Sequence, residues 1–151
     1  MAHPVSVLVD GDNISGKHAG KILEVAAQHG EPTVVRVYSD AQRPSEWHSA
    51  VGYRMLHAGT GKNAADLLLA LDAMEMVLSR NVLCFVIASS DGDFTHLATR
   101  LRELGAKVIG IGEEKAPPAF RACCTNFVEI GQTQAKRPVA KLAAGVTDLD
   151  Q

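Results

Sequence analysis

A doubly wound parallel α/β sheet is the fold class this sequence predicts, and three observations predict it. Val5 to Val9 and Leu83 to Ala88 are nearly continuous apolar runs, the pattern of parallel strands covered on both faces. Both runs lead into an Asp followed by a turn-forming Gly, at Asp10-Gly11 and Asp91-Gly92. Strand-like and helix-like segments alternate between and beyond them, which favours a parallel sheet with right-handed crossovers.

Taken in order, Val5 to Val9 is the first strand, and Lys17 to His29 reads as a helix stopped by Gly30. Thr33 to Tyr38 is β-branched and strand-like, Ser45 to Val51 is a short helix, and Tyr53 to Ala58 is the third strand. Ala64 to Leu78 is the longest apolar stretch. Asp66, Asp72 and Glu75 interrupt it, and it falls short of the roughly 20 residues a membrane helix needs, so it reads as the helix of a soluble domain. Leu83 to Ala88 is the fourth strand, Phe94 to Leu104 a helix ended by Gly105, and Lys107 to Ile111 the fifth strand. A short helix over Pro117 to Cys123 and an extended piece from Phe127 to Ile130 close the domain. Gly131 to Gln151 is polar and Ala-rich and reads as a tail or linker. The expected strand order is 3-2-1-4-5, with helices on both faces.

The 151 residues fit one domain, assigned to residues 4–130, with 131–151 as the tail. A formal charge of −2 supplies no global attraction to nucleic acid, so any polyanion must be drawn by a local basic surface. Cys84, Cys123 and Cys124 are odd in number and lack CxxC spacing, as in a reduced, cytoplasmic protein. Met1-Ala2-His3-Pro4 lacks the basic and apolar regions of a signal peptide, so neither export nor membrane attachment is expected.

In an open α/β sheet, ligands bind beyond the strand carboxyl ends where the winding reverses. There strands one and four would be neighbours, with Asp10 beside Asp91, and Asp66 would rise from the same edge at the start of the helix after strand three. Clustered carboxylates repel one another and favour a hard divalent cation, with water and phosphate oxygens filling its remaining positions. Asp12 reads first as a turn residue, whereas Asp93 can both cap the next helix and join the cluster. Asp72 lies six residues beyond Asp66, about 240° around a helix, and reads as structural. Asn13 and Ser90 are supporting candidates, through an amide aimed at Asp10 and a hydroxyl for water or phosphate.

Gly59-Thr60-Gly61-Lys62 is not a nucleotide-binding P-loop, because Leu56 and Asn63 stand where that motif requires Gly and Ser or Thr. The histidines show no paired metal spacing, which argues against zinc. A basic rim for a polyanion would draw on Arg36, Arg43, Arg54, Lys62, Lys115 and Arg121. Of these, Arg43, Lys62 and Lys115 are the candidate substrate-binding residues, while Trp47 reads first as a packing residue.

Three segments together carry a family resemblance: Val9-Asp10-Gly11-Asp12-Asn13; Gly61-Lys62-Asn63-Ala64-Ala65-Asp66 with Asp72-Ala73-Met74; and Ser89-Ser90-Asp91-Gly92-Asp93-Phe94. It continues through Leu97 to Arg102 and Gly110 to Pro117. The chain resembles the NYN domain family of the PIN-like ribonuclease superfamily, in its LabA-like bacterial type. The resemblance implies a metal-dependent ribonuclease in which Asp10, Asp66, Asp91 and Asp93 are the catalytic and metal-binding acids. Asp10 and Asp91 would hold one Mg²⁺ or Mn²⁺, and Asp66 and Asp93 would complete a second site or orient its waters. Hydrolysis of RNA would leave 5′-phosphate and 3′-hydroxyl ends. RNA is the expected partner. A homodimer is admissible, and members of this type often carry a C-terminal RNA-binding module that would follow residue 151. Two other readings remain open at this level. One is a non-catalytic RNA-binding module. The other is a haloacid-dehalogenase-like phosphatase, against which Ile14 stands where that motif has Thr.

Overall fold

The computed structural model describes residues 3–40, 45–59, 61, 63–91 and 93–131. Six parallel strands form one sheet: β1 (Pro4–Asp10), β2 (Glu31–Ser39), β3 (Arg54–His57), β4 (Cys84–Ala88), β5 (Lys107–Gly112) and β6 (Asn126–Glu129). Their order is β3-β2-β1-β4-β5-β6, the expected order extended by one edge strand. The extended piece near the end of the domain is that strand, with Ile109 to Gly112 registered against Asn126 to Glu129.

Four α-helices link the strands: α1 (Ala19–Ala27), α2 (Ala64–Ser79), α3 (Thr95–Glu103) and α4 (Pro118–Cys123). The segment expected as one helix from Lys17 divides into a 3₁₀ turn, Gly16–His18, and α1. Ser15 caps that turn by accepting from the Lys17 amide. The short helix after residue 45 is a single 3₁₀ turn, Glu46–Ser49, capped in the same way by Ser45.

Alternation along β1 divides the apolar residues between two layers, because successive side chains leave a strand on opposite faces. Leu8 joins Tyr38, Leu69, Met76, Phe85, Ile87, Leu101 and Phe120 on the side covered by α2, α3 and α4. Val5, Val7 and Val9 join Ile22, Val37, Trp47, Val86, Ile109 and Ile111 on the side covered by α1. Burial on both faces explains the nearly continuous apolar runs of β1 and β4. Trp47 is a packing residue, as its apolar area suggests: it is buried, meets Tyr53 edge-on and donates its indole N–H to Ile14 O at 2.9 Å. The winding reverses between β1 and β4, so their carboxyl ends open side by side.

Candidate acidic active site

β1 delivers Asp10 to that opening as its final residue, and Asp10 is 1% exposed. Its Oδ2 accepts from Asn13 Nδ2 at 2.8 Å and from Ser89 Oγ at 2.8 Å. Its Oδ1 is shut from solvent and has no hydrogen-bond partner among the described residues. The Asp10 carboxyl is pushed up to about 6: burial is the largest cause, the Asn13 and Ser89 bonds hold it lower than burial alone would, and the charges of Asp66 and Asp12 add to the rise. One oxygen is therefore fixed by the protein while the other is left in an electronegative cleft.

A kinked loop brings Asp66 to the same cleft. Gly59 and Asn63 both adopt positive φ, at 92° and 60°, conformations that Gly and Asn accept more readily than most residues. Asn63 immediately precedes α2, so Asp66 lies in its first turn. Asp10, Asp12, Asn13, Asp40, Asn63 and Asp66 are among the residues lining a cleft of about 260 Å³. Burial raises the Asp66 carboxyl above its ordinary range, and the neighbouring charge of Asp12 adds to the effect.

Asp12 has a wider role than the turn expected of it. It does brace the loop, since its carboxylate accepts from the Asp40 amide at 3.0 and 3.3 Å. It also lines a second, adjoining cleft of about 470 Å³ with Asn13, Trp47, Asp91, Glu113 and Lys115. Asp12 and Asn13 thus form the ridge between two clefts.

The two clefts separate residues that the sequence reading had placed together. Register between β1 and β4 pairs Val9 with Ala88, so the residue opposite Asp10 is Ser89 rather than Asp91. Asp91 lies farther along the loop in the second cleft, half exposed, with Lys115 Nζ at 3.5 Å. Asp93 is exposed, and its Oδ1 accepts from the amide of Thr95, the first residue of α3, at 3.1 Å, while Phe94 stands at the N-cap position without a side-chain bond. Asp93 lines neither cleft.

Among the supporting candidates, Asn13 orients Asp10 as its amide suggests. Ser90 is fully buried and acts on the backbone: its Oγ accepts from Glu113 N at 3.1 Å, and its amide donates to Asn13 O at 3.0 Å. Ser90 thereby ties the ends of β4 and β5 to the Asp12-Asn13 ridge. Ser89 was missed by the sequence reading. The signal available was its place directly after β4, next to the strand that ends in Asp10.

The basic rim differs most from expectation. Arg36 Nη1 donates to Asp72 Oδ2 at 3.1 Å and Tyr38 OH to the same oxygen at 2.7 Å, so Asp72 pins α2 to β2 as a structural residue. Arg121 donates to the backbone oxygens of Glu113, Glu114 and Ala116, pairs with Glu129 and lies 4.6 Å over the Phe127 ring. Both arginines are engaged in holding the fold. Lys115 stands at the second cleft, whereas Arg43 and Lys62 lie outside the described residues.

These donors suit Mg²⁺ or Mn²⁺. All are oxygens, one buried oxygen lacks a partner among the described residues, and a cation would relieve the repulsion among Asp10, Asp12 and Asp66. Among the described residues no three acidic, His or Cys side chains are grouped closely enough to hold an ion by themselves. Mg²⁺ commonly takes one or two protein carboxylates and completes its shell with water and substrate phosphate, so the two observations agree.

A curated relative, an uncharacterized protein of Methanocaldococcus jannaschii, is 28% identical over 131 residues. The match covers 84% of this chain and 53% of that protein, so the chain spans about half the length of that relative. A family model, NYN domain, matches residues 4–131. With β1, the Asp12-Asn13 ridge, the start of α2 and the Ser89-to-Asp93 loop all inside that match, the chain belongs to the NYN domain family, within the PIN-like nuclease superfamily.

Proposed function

We propose that this protein is a metal-dependent ribonuclease that hydrolyses RNA phosphodiester bonds at the carboxyl edge of its sheet. The observation that carries the reading is Asp10: a buried carboxylate with one oxygen clamped and the other without a partner among the described residues, in a cleft shared with Asp66. A buried polar atom without a partner costs free energy, and is retained where a ligand completes it. Asp10 and Asp66 would hold Mg²⁺ or Mn²⁺ on one side of the Asp12-Asn13 ridge. Asp91, with Asp93 near the loop surface, would serve the other side, toward the departing strand. Such a cation supplies charge neutralisation at the phosphate and lowers the pKa of attacking water.

The residues of the chain itself do the positioning. Asn13 and Ser89 fix the Asp10 carboxylate, and Ser90 holds the ridge against β5. Lys115 offers a positive charge to RNA phosphate once its contact with Asp91 is exchanged, with Arg43 and Lys62 as the further substrate-binding residues. The expected products are 5′-phosphate and 3′-hydroxyl ends. Cytoplasmic RNA is the proposed substrate, and a separate RNA-binding module is the proposed companion.

The test is incubation of the protein with labelled single-stranded and structured RNAs in Mn²⁺ or Mg²⁺, with EDTA, Asp10→Asn and Asp91→Asn controls. The reading predicts cleavage that EDTA abolishes and each substitution lowers at least 100-fold, as expected for groups that stabilise transition-state charge. Intact RNA under every condition, or cleavage indifferent to EDTA, would reject it.

A further inference from the structure

Two imidazoles stand against each other at the carboxyl edge of the sheet, beside the acidic cleft rather than in it. His57 is the last residue of β3, and His48 lies on the 3₁₀ turn Glu46–Ser49. Their ring centroids are 5.8 Å apart with the planes 30° from parallel, and both residues are exposed. The His48 ring is fixed. Its Nδ1 lies 3.0 Å from Ser45 O, which only accepts, so that nitrogen carries the proton and donates to its own turn. Buried Trp47 anchors the turn, and backbone bonds from His48 N to Ser45 O and from Ala50 N to Trp47 O close it.

The place of the pair relative to the cleft follows from register. His57 is paired with Ser39, which Asp40 follows directly, and Gly59 lies two residues beyond His57; Asp40 and Gly59 both line the acidic cleft. Two residues of chain span at most about 7 Å, the scale of one nucleotide step. Paired imidazoles also suit a transition metal, but among the described residues no third His, Cys, Asp or Glu joins them to hold an ion. Charge does little to hold a polyanion here, since the cleft carboxylates repel it and Arg36 is committed to Asp72. Flat rings hold a base by stacking, which needs no charge and tolerates any base.

We propose that His48 and His57 form a stacking subsite for one unpaired base of single-stranded RNA, adjacent to the nucleotide at the acidic cleft. The inference rests on the reading that RNA enters that cleft, though not on its being cut there. A duplex keeps its bases stacked on one another and offers the rings no free face, so the subsite selects single strands. Because the His48 ring is already fixed, its engagement costs little side-chain freedom.

Fluorescence anisotropy of a labelled single-stranded RNA, and of the same RNA as a blunt duplex, tests the subsite in EDTA and again in Ca²⁺. The proteins are wild type, His48→Ala, His57→Ala and His57→Phe. Wild type should bind the single strand more tightly than the duplex. Each Ala variant should lose single-strand affinity by roughly fivefold or more, the scale of one base stacked on a ring. His57→Phe keeps a flat ring and should stay within about twofold of wild type, and circular dichroism should be unchanged in all variants because the rings are exposed. Wild-type affinity in both Ala variants overturns the proposal, as does an equal loss in His57→Phe and His57→Ala, or a wild type that binds single strands in neither condition. Cleavage in Mn²⁺ with ring-independent binding would sink the subsite alone. Ring-dependent binding of RNA that is never cut would sink the ribonuclease reading alone.

Discussion

Asp10 combines burial, a clamped oxygen and one without a partner among the described residues, and its consequences are measurable without substrate. Its carboxyl titrates at about 6 in the fold against 3.8 in the unfolded chain, so the folded state binds that proton more tightly. Its contribution is present below pH 4 and is lost as the pH rises through 6, roughly 2–3 kcal/mol across the window as an upper bound. Asp10→Asn removes the titration. In EDTA the variant should therefore gain stability relative to wild type as the pH rises from 4 to 7, read as the difference between two denaturation curves at each pH. A difference that stays flat would contradict the burial argument. Gly11 is equally exacting for a steric reason, since a Cβ there would stand 2.6 Å from Val37 Cγ2 and 3.3 Å from Trp47 Cδ1. Gly11→Ala should cost about 1–3 kcal/mol in urea unfolding, because the crowding falls on a packed core. Asp10 was legible as a site residue because a charge at the end of a buried strand has few structural uses. Ser89 and Ser90 were harder to separate, because only strand register decides which hydroxyl faces β1.

At the scale of elements, the sheet edge works because separate segments are tied together by polar contacts that no periodicity reveals. Asp72 joins α2 to β2 through Arg36 and Tyr38, all three side chains being largely sheltered. Removing its carboxylate leaves a guanidinium and a phenol short of an acceptor. Asp72→Ala is expected to destabilise by about 1–3 kcal/mol in chemical denaturation, and a change below a few tenths would show that water replaces it freely. The same contact explains why Arg36 is not part of a basic rim. A long cationic side chain reaches whichever acceptor the fold supplies, and sequence spacing does not say which. Helix and strand positions, by contrast, were readable to within a few residues, since apolar periodicity and the Gly stops at 30 and 105 reflect local physics. The 3₁₀ turn at Gly16–His18 overlaps the start of a segment expected as one helix from Lys17, and that at Glu46–Ser49 falls in the expected short helix from Ser45 to Val51; a serine caps each turn as it would an α-helix.

For the molecule as a whole, strand order was legible from alternation and right-handed crossovers, and it places the carboxyl ends of β1 and β4 together. The loop conformations were not. Asp91 was expected beside Asp10, yet the Asp12-Asn13 ridge divides them into adjoining clefts. Among the described residues no helix is long and apolar enough to cross a membrane, in keeping with the charges that interrupt α2. The central claim is that the cleft containing Asp10 and Asp66 holds a divalent cation. The most direct measurement is calorimetric titration of Mn²⁺ into metal-free wild type, Asp10→Asn and Asp66→Asn. The account predicts saturable binding to the wild type, weakened at least tenfold in both variants, whose circular dichroism stays that of the folded protein. Equal Mn²⁺ affinity in all three proteins, or no binding to the wild type, would contradict it.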